Sequence, residues 1–237
     1  MTNRLRLAAG AAAFSLMGTA SAAVTSDTVT LSLFGSDGTS TWDRSPTTEV
    51  AEDGSFSLNM PDQIMPTFDT EFIFVQGNVD PIISANFSVT NTTGSIQSYT
   101  FIFTLPVSPV SAPSISGGSV GITATDNNGD GVTVGPAFLR PTYAAQIDGS
   151  DFQTLDVRFT DPDPFDSDTQ SDRFGDPIPS LVTGSAVTST IGLRYDFTLT
   201  PGDSVGITSV FVIVPEPASI TLAAAGLAVL GLRRRCP

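Results

Sequence analysis

Alternation of apolar and polar residues dominates the middle of the chain. In 29-VTLSLF-34, Val29, Leu31 and Leu33 share one face of an extended strand, and Thr30 and Ser32 share the other. The stretch 191-IGLRYDFTL-199 is cleaner still. Ile191, Leu193, Tyr195, Phe197 and Leu199 point one way and Gly192, Arg194, Asp196 and Thr198 the other, with Asp196 and Thr198 expected to face water. Period-two runs recur at 83-ISANFSVT-90, 96-IQSYTFIFTL-105, 118-GSVGITA-124 and 154-TLDVRFT-160. Two others, 72-FIFVQ-76 and 210-VFVIV-214, are apolar on both faces, as strands central in a sheet or beneath a loop are. Turn formers punctuate the runs: Asp37-Gly38, Asp53-Gly54, Asn128-Gly129, Asp130-Gly131, Asp148-Gly149 and Pro201-Gly202-Asp203.

No window between residues 24 and 214 sustains a helical period. The pattern predicts an all-β fold, an antiparallel β-sandwich of about ten short strands rich in Thr and Ser. Two extended loops are expected to interrupt it, 106-PVSPVSAPSISGG-118 and 161-DPDPFDSDTQSDRFGDPIP-179. A single β-sandwich over 23–213 is the expected organisation, with two small sandwiches divided near Pro106–Gly118 as the alternative.

The ends differ from the middle. Arg4 and Arg6, the apolar stretch from Leu7 to Met17 and the small residues Ala20-Ser21-Ala22 follow each other in the order of a secretory signal peptide, residues 1–22. Residues 214–237 combine Val214-Pro215-Glu216-Pro217, the uncharged run 220-ITLAAAGLAVLGL-232 and Arg233, Arg234 and Arg235. A helix of that run would cover roughly 20 Å, short of a hydrocarbon core of about 30 Å, so it makes a transient anchor in the inner membrane. Positive-inside orientation would keep the three arginines cytoplasmic.

Charge narrows the partners. All ten basic residues are arginines, and every one of the 24 acidic residues except Glu216 lies between Val24 and Val214, with only five of the arginines. So acidic a surface repels nucleic acid and suits solubility or cation binding. The chain has no His, and its one Cys is Cys236. With no Lys either, a Ser-His-Asp triad, thiol nucleophiles, Schiff-base lysines and imidazole zinc sites are all excluded between residues 24 and 214. A carboxylate-pair glycosidase is the enzymatic route left, and it ranks below a non-enzymatic role.

Calcium is the one cofactor the sequence leaves open. In 126-DNNGDG-131, Asp126, Asn128 and Asp130 take positions 1, 3 and 5 of a calcium loop, and Gly131 takes the turning position. Ala137 stands where a bidentate Glu belongs, so a distant acid such as Asp148 or Asp151 would have to complete the shell. The same residues also form hairpin turns between strands, the reading the local sequence favours. The acids of 161–179, interleaved with proline, are expected on a solvated extended loop. Asn86-Phe87-Ser88 and Asn91-Thr92-Thr93 match glycosylation sequons but are expected as β-surface residues. Trp42, beside Asp43 and Arg44, is a candidate for stacking on a sugar ring.

The three-part tail resembles the PEP-CTERM sorting signal. The resemblance implies that exosortase, a membrane protease, reads Pro215, Glu216 and Pro217 and removes or replaces the tail with Arg233, Arg234 and Arg235. It further implies an exported cell-surface or extracellular-matrix protein of a Gram-negative bacterium, associated with exopolysaccharide; the non-enzymatic expectation rests on the missing residue types. A carbohydrate- or calcium-binding adhesion module is the alternative. The runs 86–109 and 195–217 are also similar to the β ectodomains that carry this tail, which implies a fold and no activity.

Overall fold

The structure, a computed structural model, describes residues 30–35, 41–44, 51, 53–60, 62–78, 80–183 and 186–215. The expected signal peptide, the C-terminal helix, Glu216, Pro217 and Arg233–Arg235 lie outside the described residues. In chain order the strands are β1 (Thr30–Gly35), β2 (Thr41–Arg44), β3 (Ser55–Met60), β4 (Gln63–Ile64), β5 (Phe68–Thr70) and β6 (Ile73–Asn78). They continue with β7 (Ile82–Asn91), β8 (Gln97–Pro106), β9 (Ser114–Thr125), β10 (Val132–Pro136), β11 (Tyr143–Ile147) and β12 (Ser150–Leu155). The last five are β13 (Phe159–Asp161), β14 (Ser167–Phe174), β15 (Leu181–Thr183), β16 (Thr190–Leu199) and β17 (Ser204–Pro215).

These strands form two antiparallel sheets, the expected β-sandwich. One runs β12-β11-β16-β8-β1-β2, with β10 pairing both β16 and β13. The other runs β14-β9-β17-β7-β5-β4, with β15 on β9 and β3-β6 on β7. The expected ten or so strands become seventeen among the described residues, because short pieces such as β4, β5, β13 and β15 carry too few residues to show a period. Strands on either side of 106–118 interleave in both sheets: β8 pairs with β16, and β7 with β17.

The inward positions match the alternation. Tyr99, Phe101, Phe103 and Leu105 of β8 are buried, as are Ile83, Ala85, Phe87 and Val89 of β7. The two faces meet in a run of aromatic rings. Phe87 stacks on Phe101 at 4.9 Å and meets Tyr195 edge-on at 5.0 Å, and Tyr99 lies 5.3 Å from Phe68. Such pairs add about 0.5–1.5 kcal/mol each beyond their buried area. Each buried tyrosine also finds a polar partner: Tyr99 donates to Thr67 O at 3.2 Å, Tyr143 to Val210 O at 3.3 Å, and Tyr195 pairs with Ser209.

Three expectations need correction. The acidic stretch within 161–179 is not all loop: Ser167–Phe174 forms edge strand β14, paired with β9 from Ser167↔Thr125 to Phe174↔Gly118. It was unreadable because no apolar period marks it; all its residues but Phe174 are exposed. A polar, charged edge of this kind discourages pairing with another chain. The loop expected over 106–118 shrinks to the residues between β8 and β9, which begins at Ser114. Finally, Asp196 does not face water, and neither does Arg194. β16 is buried on both faces, with Arg194 8% and Asp196 0% exposed. Arg194 Nε donates to Asp196 Oδ2 at 2.7 Å and its Nη1 to Asp151 Oδ1 at 2.7 Å, while Thr100 Oγ1 donates to Asp196 Oδ1 at 2.6 Å. Paired charges tolerate burial that a lone charge would not.

Candidate metal centre

The loop 126–131 joins β9 to β10, and Asp126 organises it. Its Oδ1 accepts the N–H groups of Asn128 (3.0 Å) and Gly129 (2.8 Å), and its Oδ2 those of Gly131 (3.0 Å) and Phe165 (3.0 Å). Gly129 and Gly131 both have positive φ, +88° and +87°, and a Cβ on Gly129 would sit 2.6 Å from the Phe165 ring. The backbone there favours glycine at both positions. Asn128 Oδ1 accepts the Asp130 N–H at 3.1 Å, and its Nδ2 donates to Pro201 O at 2.9 Å. The hairpin-turn chemistry is real, and it leaves the Asp130 side chain exposed at the tip.

A second turn, 200–203, lies against this loop. β9 and β17 pair with Thr125 opposite Ser204, so Asp126 and Asp203 stand across from each other just beyond the ladder. Asn127 ties the two segments, donating from Nδ2 to Gly202 O (3.2 Å) and Ser204 Oγ (2.6 Å) and from its backbone N–H to Asp203 Oδ1 (3.3 Å). Asn91 fixes the turn from beneath. It is wholly buried, with Nδ2 donating to Ser95, Leu199 and Thr200 carbonyls and Oδ1 accepting from the Thr93 N–H and hydroxyl. This sequon asparagine is a structural clamp rather than a surface residue. Asn86, of the other sequon, is exposed on β7 and accepts from Thr208 Oγ1 at 3.3 Å.

One carboxylate oxygen each of Asp126, Asp130 and Asp203 lies within 4.8 Å of the others. Asp203 is wholly buried, and its Oδ2 has no hydrogen-bond partner. Burial raises the Asp203 carboxyl above the usual range; the Thr200 hydroxyl and Asn127 N–H offset this in part, and the charges of Asp126 and Asp130 add to it. Burial would also raise Asp126, but the N–H groups of Phe165, Gly131, Gly129 and Asn128 outweigh it and hold that carboxyl well below the usual range.

The expected loop residues thus part company. Asp126 and Asp130 come together, whereas both polar ends of the Asn128 side chain are spent on backbone groups. Asp203, unforeseen, is the acid that lies beside them, and neither Asp148 nor Asp151 does. Asp148 instead holds the approach to β16, accepting from Thr188, Ser189 and Thr190. Asp151 pairs with Arg194 and accepts from Gln146 Nε2 at 2.9 Å. Trp42 lies opposite Leu33 in the β1–β2 pair; its side chain falls outside the described residues.

The other candidate region begins at the far end of β17. Val214 pairs with Ile115 and Pro215 with Ser114, and both are exposed. Among the described residues no helix is long and apolar enough to cross a membrane. A comparison with curated proteins returns no match. The family model of the PEP-CTERM protein-sorting motif matches residues 214–235, agreeing with the resemblance read from the tail. The chain therefore carries a PEP-CTERM protein-sorting motif that opens on the last two residues of β17, the mark of an exosortase-sorted, secreted or cell-surface protein.

Proposed function

We propose that the protein is a non-enzymatic component of the cell surface or extracellular matrix of a Gram-negative bacterium, delivered by exosortase after transient residence in the inner membrane and held among exopolysaccharide. The observation that carries this reading is the sorting motif at 214–235 continuing from an exposed strand end. β17 is central in its sheet, lying between β9 and β7, so pulling or trimming the chain beyond Pro215 leaves its ladder intact.

Intact-mass measurement on protein released by its native host tests the sorting step. The released chain is expected to end near Glu216, and Pro215→Ala/Pro217→Ala is expected to stay in the inner membrane fraction. Released protein that retains Cys236 would refute it. Co-sedimentation with the host's own exopolysaccharide tests the matrix role: association is expected, and loss of all association after mild washing would remove it.

A further inference from the structure

The cluster of Asp126, Asp130 and Asp203 is independent of the sorting tail. Acidic side chains alone are commonplace on a surface this negative, so the weight falls on Asp203. It is wholly buried, Asn127 donates to its Oδ1, its Oδ2 is left unpartnered, and one oxygen of its carboxylate lies within 4.8 Å of an oxygen from each of Asp126 and Asp130. Buried polar atoms are almost always satisfied by protein, water or an ion. None of the ion pairs of Arg158, Arg173 and Arg194 reaches these three acids.

We infer that the loop 126–131 and the turn 200–203 form a calcium site, in which Asp203 supplies the carboxylate that position 12 of the loop lacks. All the donors are oxygens, which selects a hard cation. Calcium fits better than magnesium because it accepts irregular shells of six to eight oxygens, whereas magnesium demands a near-ideal octahedron. Asp203 and the exposed Asp130 bind the ion from opposite segments. Asp126, its oxygens already engaged by four N–H groups, lends charge and fixes the loop. Water fills the open side at Asp130. A cation there joins the ends of β9 and β17 at the end of the sandwich remote from Pro215.

Thermal and urea unfolding of the exported protein, in calcium chloride and in chelator, tests this. Calcium at a hundred times its Kd is expected to raise the folding equilibrium constant about a hundredfold. Calorimetric titration with calcium chloride is expected to give one site per chain. Asp203→Asn and Asp130→Asn are expected to lose the gain. Without calcium, Asp203→Asn is expected to be at least as stable as the wild type, since it removes one of three clustered charges; this separates a lost site from a lost fold. Asp148→Asn keeps the calcium gain. Identical unfolding in calcium and chelator with no titration heat would overturn the inference, as would a full calcium gain in Asp203→Asn.

Discussion

The buried pair on β16 supports a quantitative comparison, because one arginine meets two acids in different surroundings. Arg194 Nε and Nη1 lie 2.7 Å from Asp196 and Asp151 respectively, yet the side chain of Asp196 is 0% exposed and that of Asp151 is 38% exposed. At 2.7 Å and an effective dielectric of about 20, the gross attraction is roughly 6 kcal/mol per pair, before desolvation is subtracted. Breaking a buried pair from one side costs about 3–5 kcal/mol, because the survivor stays buried and uncompensated. Arg194→Met is therefore expected to cost about 3–5 kcal/mol, since Asp196 keeps only the Thr100 hydroxyl at 2.6 Å. Asp151→Asn is expected to cost about 1 kcal/mol or less, because water already screens that contact. In Arg194→Met/Asp196→Leu both charges are gone, and most of the loss is expected to return, as a coupling energy of opposite sign to the single losses. Urea midpoints at constant slope measure all of these. Equal, small losses for Arg194→Met and Asp151→Asn would mean that the outer face of β16 is solvated, and the argument for its burial would fail.

Two further outcomes follow from the same structure. Phe87→Ala removes a ring packed on Phe101, Phe103 and Tyr195 and is expected to cost about 3–5 kcal/mol in urea unfolding, while Thr208→Ala on the exposed side of β17 is expected to stay within about 0.5 kcal/mol. Burial would raise the Asp148 carboxyl, but hydrogen bonds from Thr190, Thr188 and Ser189 outweigh it and hold it well below the usual range. A depressed folded value contributes stability above the unfolded value, near 3.9, and loses it as pH falls through the folded one. The stability difference between wild type and Asp148→Asn is therefore expected to be full at neutral pH and to shrink below about pH 4; a difference independent of pH would refute the assignment.

Much of the sandwich was legible because its inner faces are apolar and its outer faces polar. The strands read from alternation, β7, β8, β9 and β16, bring their inward residues into the core, whereas 210–214 in β17 was read as apolar on both faces. What escaped has a physical cause in each case. β14 buries almost nothing, so its place rests on backbone pairing and on hydroxyl pairs such as Thr123–Thr169 at 2.9 Å and Thr125–Ser167 at 2.8 Å, which leave no period in the sequence. The run 154–160 keeps its inward set, Leu155, Val157 and Phe159, but changes partner midway, from β11 to β10. Alternation reports which face a residue takes and is silent about which neighbour it pairs with. On β16 the same limit appears in reverse: charged residues at alternate positions read as solvated, and their mutual pairing together with Asp151 and Thr100 from other strands allows them to be covered.

The acid cluster shows how far a linear motif reaches. Spacing within 126–131 identified Asp126 and Asp130, because a loop that turns on two glycines brings them together whatever the rest of the chain does. Asp203 could be found only from the pairing of β9 with β17. The apolar pattern matches Ala124 to Val205 and Ile122 to Ile207. It would be equally content with a slip of two residues, since that returns every side chain to its own face. Such a slip would carry Asp203 away from Asp126. The observed register is held by groups beyond the ladder: Asn127 on Gly202 and Ser204, Asn128 on Pro201, and Asn91 on Leu199 and Thr200. These polar side chains select one of several registers that the core alone would accept, and the register they select is the one that sets a buried carboxylate, one of its oxygens unpartnered, opposite Asp126.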